Sequence, residues 1–118
     1  MRLAGLSDKE ILDIVQPLAE HTENAWNEKS YSDFIQYFID ENPSEHFPEE
    51  EFNRQIEENY DAYGKHTIAD LVTIHRNSDH FIVIWKVDLE NREEPGLLIY
   101  GFRERDGKVL IEGCSYHA

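Results

Sequence analysis

The fold is decided by the stretch LLIYGFRERDGKVLIEGCSY, residues 97–116. Apolar and polar residues alternate on both sides of Asp106-Gly107, a residue pair that favours a two-residue hairpin turn. The alternating period extends backwards through the second half of the chain, with a first turn at Asn77-Ser78. Strands are predicted over 66–76, 80–89, 97–104 and 108–117. This half of the chain therefore predicts a mainly antiparallel sheet of four strands or more.

The first half of the chain shows the period of a helix instead. Ser7 and Glu10 fit a capping box, in which the hydroxyl and the carboxylate satisfy backbone N–H groups at a helix start. Apolar or small residues then recur along one face as far as Trp26. Pro17 removes one backbone donor but the apolar stripe continues in phase past it, so a kinked helix is predicted over about 8–27.

Two further helices are predicted before the sheet. A short aromatic one begins near Ser30 and ends at Asn42, before Pro43, and a third begins at Pro48 and is capped by Gly64. Three helices followed by four strands predict an α+β domain, in which the helices pack on the concave face of the sheet. We expect residues 1–118 to form a single domain.

The charge of the chain bears on its partners and location. The formal net charge is -14, of which -12 falls in residues 1–63, with 4 Lys or Arg against 16 Asp or Glu. An acidic half of the chain repels phosphate backbones, so no nucleic-acid partner is expected. A solvated acidic face explains the excess of negative charge more simply than an acidic docking surface.

Membrane association is not expected either, because no apolar run approaches about 20 residues. One cysteine and a start too short for a secretory signal predict a cytoplasmic protein.

The turns predict which side chains share a face of the sheet. In the last hairpin, the inner face carries Leu98, Tyr100, Phe102, Val109 and Ile111. In the first hairpin, Ile68, Asp70, Val72 and Ile74 lie beside Phe81, Val83, Trp85 and Val87. The outer face is predicted to carry Ile82, Ile84, Leu97, Ile99, Leu110, Cys114 and Tyr116. That outer face is too apolar for water alone, so we expect a homodimer to cover it.

A polar cluster is predicted at one end of the inner face, formed by His66, Asp70, Trp85, Ser115 and His117, with Tyr100 deeper. Asp70 beside Trp85 in an apolar wall would be a candidate catalytic base. The simpler alternative is a strand that starts later or contains a bulge, so that Asp70 is solvated or bonded to a backbone amide. His66 and His117 are candidate ligand contacts, although their places near strand or chain ends equally fit exposure.

The helical aromatic residues offer a second set of ligand contacts. Trp26, Tyr31 and Tyr37 could wall an apolar pocket, while ordinary core packing is the alternative. No metal site or cofactor is expected, since the six histidines show no ligand spacing.

Three features together resemble a known superfamily. They are the run Trp26–Phe34 leading from the first helix into a short second one, a helix ending at Gly64 before a sheet, and the turn Arg105–Ile111 leading into the last strand. This pattern resembles the nuclear transport factor 2-like superfamily, the α+β cone with a cystatin-like sheet. The group includes ketosteroid isomerases and polyketide cyclases, and the resemblance implies a pocket inside the cone and dimers through the outer sheet face.

Three functions follow as hypotheses. The leading one is a dimeric cone that binds a small, largely apolar molecule. The second is an isomerase or dehydratase with Asp70 as general base. The third is a non-catalytic dimeric interaction module whose cavity is filled by its own side chains.

Overall fold

A computed structural model of the protein describes residues 5–40 and 43–118, apart from the side chain of Pro43. The helices are α1 (Asp8–Asn27), α2 (Tyr31–Phe34), α3 (Pro43–His46) and α4 (Glu49–Tyr63). The strands are β1 (His66–Arg76), β2 (His80–Leu89), β3 (Gly96–Arg105) and β4 (Lys108–His117). The α+β class is confirmed. Within the described residues, no helix combines the length and the apolar character needed to cross a bilayer.

The long helices begin and end where the sequence predicts. The capping box at Ser7 is formed, with the Ser7 hydroxyl accepting from the Glu10 backbone N–H at 3.2 Å and the Glu10 carboxylate accepting from the Ser7 N–H at 3.1 Å. Helix α1 runs without a break through the exposed Pro17. The second helix is shorter than predicted, because turns replace the helix after Phe34. Its predicted end at Asn42 lies outside the described residues.

The sheet is an open antiparallel meander in the order β1-β2-β3-β4. The last turn is the predicted two-residue hairpin: Arg105 pairs with Lys108, and Asp106 and Gly107 both have positive φ, 54° and 79°, as a type I′ turn requires. The first turn is longer than the predicted two residues. Arg76 pairs with Phe81, and the Asn77 N–H donates to the His80 carbonyl at 3.0 Å.

A bulge in β4 reverses part of the predicted register. Phe102 pairs with Ile111 but Tyr100 pairs with Cys114, so one extra residue is inserted near Gly113. Glycine in a strand commonly marks such an irregularity because it has no side chain to hold the pleat. Beyond the bulge, Cys114 and Tyr116 lie on the inner face, which corrects their predicted outer position. By the same shift, Ser115 and His117 lie on the outer face.

Two irregularities in β1 overturn the predicted environment of Asp70. Ile68 pairs with Val87 and Ile74 with Val83, as the inner-face assignment requires, but the register shifts on both sides of Leu71. Asp70 falls in the disturbed segment and is exposed. Asp70 therefore lies in solvent, outside the apolar wall that the prediction of a catalytic base assumed.

The core lies between α1 and the inner face of the sheet. Ile11, Val15 and Ala19 of α1 are fully buried against alternate residues of β2, β3 and β4. A second cluster, centred on Trp26, Phe34, Phe52 and Ile56, joins the end of α1 to α2 and α4. The two clusters share Phe38, Cys114 and Tyr116 as partly buried neighbours. The candidate functional site lies where α1, α4 and the sheet meet.

Candidate functional site

The end of α1 is fastened directly to the start of β1. The Asn27 side chain accepts from the His66 N–H at 2.8 Å and donates to the His66 carbonyl at 2.8 Å. The Tyr60 hydroxyl of α4 in turn donates to the Asn27 carbonyl at 2.7 Å. These bonds fix the His66 backbone against both long helices. The position of the His66 side chain therefore depends on α1, α4 and β1 together.

Glu23 stands one helical turn before Asn27 and faces the His66 side chain. Glu23 is only 6% exposed, and its carboxylate Oε1 lies 2.7 Å from His66 Nδ1. Its Oε2 accepts a hydrogen bond from the buried hydroxyl of Tyr100. An ionised carboxylate can only accept, so His66 Nδ1 and the Tyr100 hydroxyl both act as donors. A carboxylate buried with two donors is the arrangement in which burial of the charge is compensated.

The same contact fixes the tautomer of His66. With its proton on Nδ1, a neutral imidazole keeps the lone pair of Nε2 free. His66 is 3% exposed, and its Nε2 is buried without a hydrogen-bond partner among the described residues. The ring is held by Trp26, stacked at 5.5 Å and 22°, and by Tyr116, edge-on at 4.7 Å. The indole Nε1 of Trp26 is likewise buried without a described partner.

A partly open cavity of about 520 Å³ adjoins this group. It lies between the ends of α1 and α4 and the final residues of β4. Its walls are Glu23, Trp26, Phe34, Gln55, Asn59, Tyr63, His66, Leu98, Cys114, Ser115, Tyr116, His117 and Ala118. The walls combine aromatic and apolar residues with almost as many polar or charged ones. The volume lies in the range of small-molecule sites.

Burial changes the acidity of the hydroxyl and thiol groups in this region. The pKa of Tyr100 is raised well above its ordinary value, mainly by burial and further by the neighbouring Glu23 and Cys114. Burial and Glu23 also raise the pKa of the Cys114 thiol. Burial, Tyr63 and Glu23 raise the pKa of Tyr116 to about 12. At neutral pH these groups therefore remain protonated, as donors or weak donors and not as bases or nucleophiles.

The structure separates the residues predicted to contact a ligand. Trp26 and His66 border the cavity. Tyr100 lies just behind it, bonded to Glu23. The Trp85 side chain is fully buried in the core, edge-on to Tyr100 at 6.0 Å. His117 is exposed on the outer face, and it borders the cavity only at the end of β4.

The other two predicted contacts lie elsewhere. Tyr31 belongs to the second core cluster, where its hydroxyl donates to the Phe47 carbonyl at 2.6 Å. Tyr37 packs edge-on against His21 at 4.9 Å, and its carbonyl accepts from the Ile111 N–H. Neither residue borders the cavity. Asp70, the predicted base, is exposed in the irregular segment of β1 and is likewise not one of the cavity walls.

Sequence reasoning missed Glu23, although the sequence carried a signal. The buried residues of α1 include Ala19, Thr22, Glu23 and Trp26, which follow the i, i+3, i+4, i+7 spacing of one helix face. A glutamate on the apolar face of a helix is rare unless it has partners. The partners themselves come from β1 and β3, 43 and 77 residues further along the chain, so only the tertiary structure identifies them.

Among the described residues, no three His, Cys, Asp or Glu side chains gather in a way that could hold a metal ion. Glu23, His66 and Tyr100 form a buried hydrogen-bonded group beside the cavity. No family model matches the sequence, and no curated protein matches it.

Among solved structures, the chain is similar to AclR of Streptomyces galilaeus, which has been provisionally assigned as a hydroxylase. The two chains are 13% identical, with a TM-score of 0.47 over 86% of this chain and 77% of AclR.

Proposed function

We propose that the protein binds a small, largely apolar molecule in the cavity between α1, α4 and β4. The observation that carries the proposal is a partly open cavity of about 520 Å³ whose walls include the aromatic side chains of Trp26, Phe34 and Tyr116. A ligand with an apolar body could pack against these rings, while the polar walls Gln55 and Asn59 could bind one polar group of it.

The charges around the cavity narrow the ligand class. Among the described residues, no Lys or Arg lies in the cavity walls. The walls do include the acidic side chain of the buried Glu23. The chain as a whole carries a net charge of -14, and its field repels anions. The ligand is therefore uncharged or cationic. Its aromatic contacts suit either case, because ring faces attract both apolar groups and organic cations.

Native mass spectrometry of the freshly purified protein is the first test. We expect added mass that leaves on denaturation and identifies the ligand. Binding is then measured with prodan, an uncharged dye whose emission depends on the polarity of its surroundings. The protein should bind prodan saturably, and the ligand released from the protein should displace it.

A matched pair of variants locates the binding site. Asn59→Trp places a large ring at the cavity wall on α4, whereas Asn53→Trp places it on an exposed position of the same helix. Asn59→Trp should abolish prodan binding while Asn53→Trp retains it. Equal binding by both variants, or no prodan binding by the unmodified protein, would contradict the proposal and favour a non-catalytic interaction module.

We further propose that the protein belongs to the nuclear transport factor 2-like superfamily and forms a homodimer through the outer sheet face. The order of elements and the pocket position support the first part. The second is supported by exposed apolar residues on or beside the sheet: Leu71, Val72, Ile82 and Leu97, which are 37–50% exposed. Sedimentation at micromolar concentration should give a dimer, and Leu97→Glu should give a monomer. A monomeric unmodified protein would contradict this part alone.

A reducing cytoplasmic location is part of the same proposal. It is supported by Cys114, the single cysteine of the chain, which is a free thiol on the inner face of the sheet. Labelling of thiols in freshly lysed source cells should find Cys114 reduced. Recovery of the protein in a mixed disulfide under conditions that trap the native redox state would speak against this location.

A further inference from the structure

A second cavity shares part of its wall with the first one. It holds about 250 Å³ and is partly open to solvent. Phe34, Gln55 and Cys114 border both cavities. The other walls of the second cavity come from α3, from β4 and from the segments that follow α2 and α3. Its volume is below the about 300–1,000 Å³ of drug-sized sites, so it suits a small molecule.

Three phenylalanine residues form the aromatic part of this wall. The ring centroid of Phe34 lies 5.6 Å from that of Phe38 and 5.6 Å from that of Phe47, and all three residues border the second cavity. The Phe47 carbonyl accepts a hydrogen bond of 2.6 Å from the Tyr31 hydroxyl, which holds Phe47 against the second core cluster. Aromatic rings attract cations as well as apolar groups, so such a wall suits an organic cation.

The permanently charged residues in the wall of the second cavity are acidic. Asp40 and Glu112 border it, and no Lys or Arg of the described part of the chain does so. Glu112 is paired with Arg103, whose Nε lies 3.0 Å from the carboxylate, so the charge of Glu112 is already balanced. The described ion-pair partner of Asp40 is His46, with Nε2 at 3.9 Å from Oδ1, beyond hydrogen-bond distance. Asp40 is therefore the carboxylate whose charge a ligand can balance.

The backbone that carries Asp40 is anchored to the sheet. Phe38 forms a parallel bridge with Ile111 of β4. The Ile39 N–H donates to the Ile111 carbonyl at 2.9 Å, and the Ile111 N–H donates to the Tyr37 carbonyl at 2.8 Å. These bonds set the position of the chain immediately before Asp40. A wall that is already ordered loses less entropy when a ligand binds.

We propose that the second cavity binds a small organic cation that carries a methylated ammonium group. Phe34, Phe38 and Phe47 contact the methyl groups, over which the positive charge is spread, and Asp40 supplies the opposite charge. A methylated ammonium needs no set of oxygen ligands, whereas a metal cation does. An anion is repelled by Asp40 and by the net charge of -14. This inference does not depend on the proposed function, whose ligand occupies the first cavity.

Two probes of equal shape test the recognition of charge. Choline is a small trimethylammonium ion, and 3,3-dimethylbutan-1-ol is the uncharged alcohol in which carbon replaces its nitrogen. Each is titrated into the full chain and followed by the backbone amide resonances, with sodium chloride keeping the ionic strength constant. Choline should bind saturably and about tenfold more tightly than the uncharged alcohol. The amides of Phe38, Asp40 and Phe47 should shift.

The acidic wall is tested by a matched pair of variants. Asp40→Asn removes the opposite charge and keeps the shape, so choline should bind about fivefold more weakly. Asp70→Asn makes the same change at an exposed position of β1 that borders neither cavity. Its affinity for choline should stay within about twofold of that of the unmodified protein, because salt screens distant exposed charges. Equal losses in the two variants would show only a general attraction to an acidic protein and would overturn the proposal.

The aromatic wall is tested by Phe47→Leu. Leucine keeps an apolar wall without the ring, so the affinity should fall more for choline than for the uncharged alcohol, which a simple loss of packing would not produce. Phe38→Leu is the second variant if Phe47→Leu does not fold, as judged by circular dichroism. Equal affinity of the unmodified protein for both probes, or no binding of choline, would overturn the proposal.

Competition with prodan separates this proposal from the proposed function. Choline should not displace prodan, and Asn59→Trp, which changes a wall of the first cavity alone, should still bind choline. Displacement of prodan by choline, or loss of choline binding in Asn59→Trp, would place choline in the first cavity and overturn the second site. If choline binds as expected and prodan does not bind, the proposed function fails and the second site stands.

Discussion

The side chain of Asn27 makes the two backbone hydrogen bonds at His66 that a neighbouring strand would otherwise make, both at 2.8 Å. Through this contact the last residue of α1 sets the distance between the helix and the first residue of β1. Glu23, one turn earlier, is thereby placed at 2.7 Å from His66 Nδ1. The geometry of the candidate site thus depends on one amide outside the cavity walls.

Replacement of Asn27 should test this dependence. Asn27→Ala leaves the His66 N–H and carbonyl without partners, and we expect a loss of about 1–3 kcal/mol in the free energy of unfolding. Urea unfolding followed by fluorescence measures it. Asn24→Ala, at an exposed position of the same helix, is the control and should cost much less. Equal effects of the two changes would show that the amide contributes nothing specific.

Removal of the Glu23 carboxylate should be more costly. Glu23→Ala leaves His66 Nδ1 and the Tyr100 hydroxyl buried without their acceptor, and breaking such a buried charged pair costs about 3–5 kcal/mol. The exposed Glu20 lies on the same helix, so Glu20→Ala should stay within about 0.5 kcal/mol of the unmodified protein. A mild effect of Glu23→Ala in urea unfolding would mean that the pair is loosely solvated.

The protein should lose stability in alkali. Burial and neighbouring groups raise the pKa of Tyr116 to about 12 and that of Tyr100 further. The folded state therefore keeps these protons where the unfolded state, with the ordinary value of 10.0, releases them. Stability is full below pH 10 and declines above it, because the unfolded chain releases these protons first. Unfolding measured between pH 9 and 12 checks this.

The Tyr100→Phe variant supplies the control for that titration. It removes the hydroxyl that is protonated only in the folded state, so the decline above pH 10 should become shallower. Tyr31→Phe is the comparison variant for the same titration. Burial and Glu49 raise the pKa of Tyr31 too, although Tyr31 lies outside the cavity walls. A decline of the same slope in Tyr100→Phe would attribute the alkaline loss to other groups.

Cys114 should react slowly with thiol reagents. Its thiol lies on the inner face and borders the cavity, and burial and Glu23 raise its pKa. The reactive thiolate is therefore scarce at neutral pH. Alkylation by iodoacetamide should be much slower in the folded protein than in urea, and slower again with ligand bound. A folded protein that reacts as fast as the unfolded chain would contradict the described packing.

Gly64 should not tolerate a side chain. Its φ is +75°, and an added Cβ would lie 2.7 Å from Cβ of Glu90. Gly107 has a similar φ of +79° but open space around it, so Gly107→Ala reports the backbone cost alone, about 1–2 kcal/mol. Gly64→Ala should cost clearly more in urea unfolding. A smaller cost than that of Gly107→Ala would mean that Glu90 moves aside freely.

Local sequence signals predicted the elements well. The capping box at Ser7, the terminal Gly64 and the turn at Asp106-Gly107 each satisfy backbone groups within a few residues, so the bounds of α1, α4 and the last hairpin were predictable. The predicted face of β4 was wrong beyond Gly113 because a single inserted residue reverses every later side chain. The glycine signalled an irregularity, but not where the register would resume.

The sequence by itself determined the α+β class, the order of helices and strands and most of their bounds, because hydrophobic period, caps and turn residues act locally. Only the tertiary structure decided the site. It buried Glu23 beside His66 and Tyr100, which are 43 and 77 residues away, and it left Asp70 in solvent. The physical reason is that burial and hydrogen-bond partners depend on register and packing between distant segments, which no local pattern specifies.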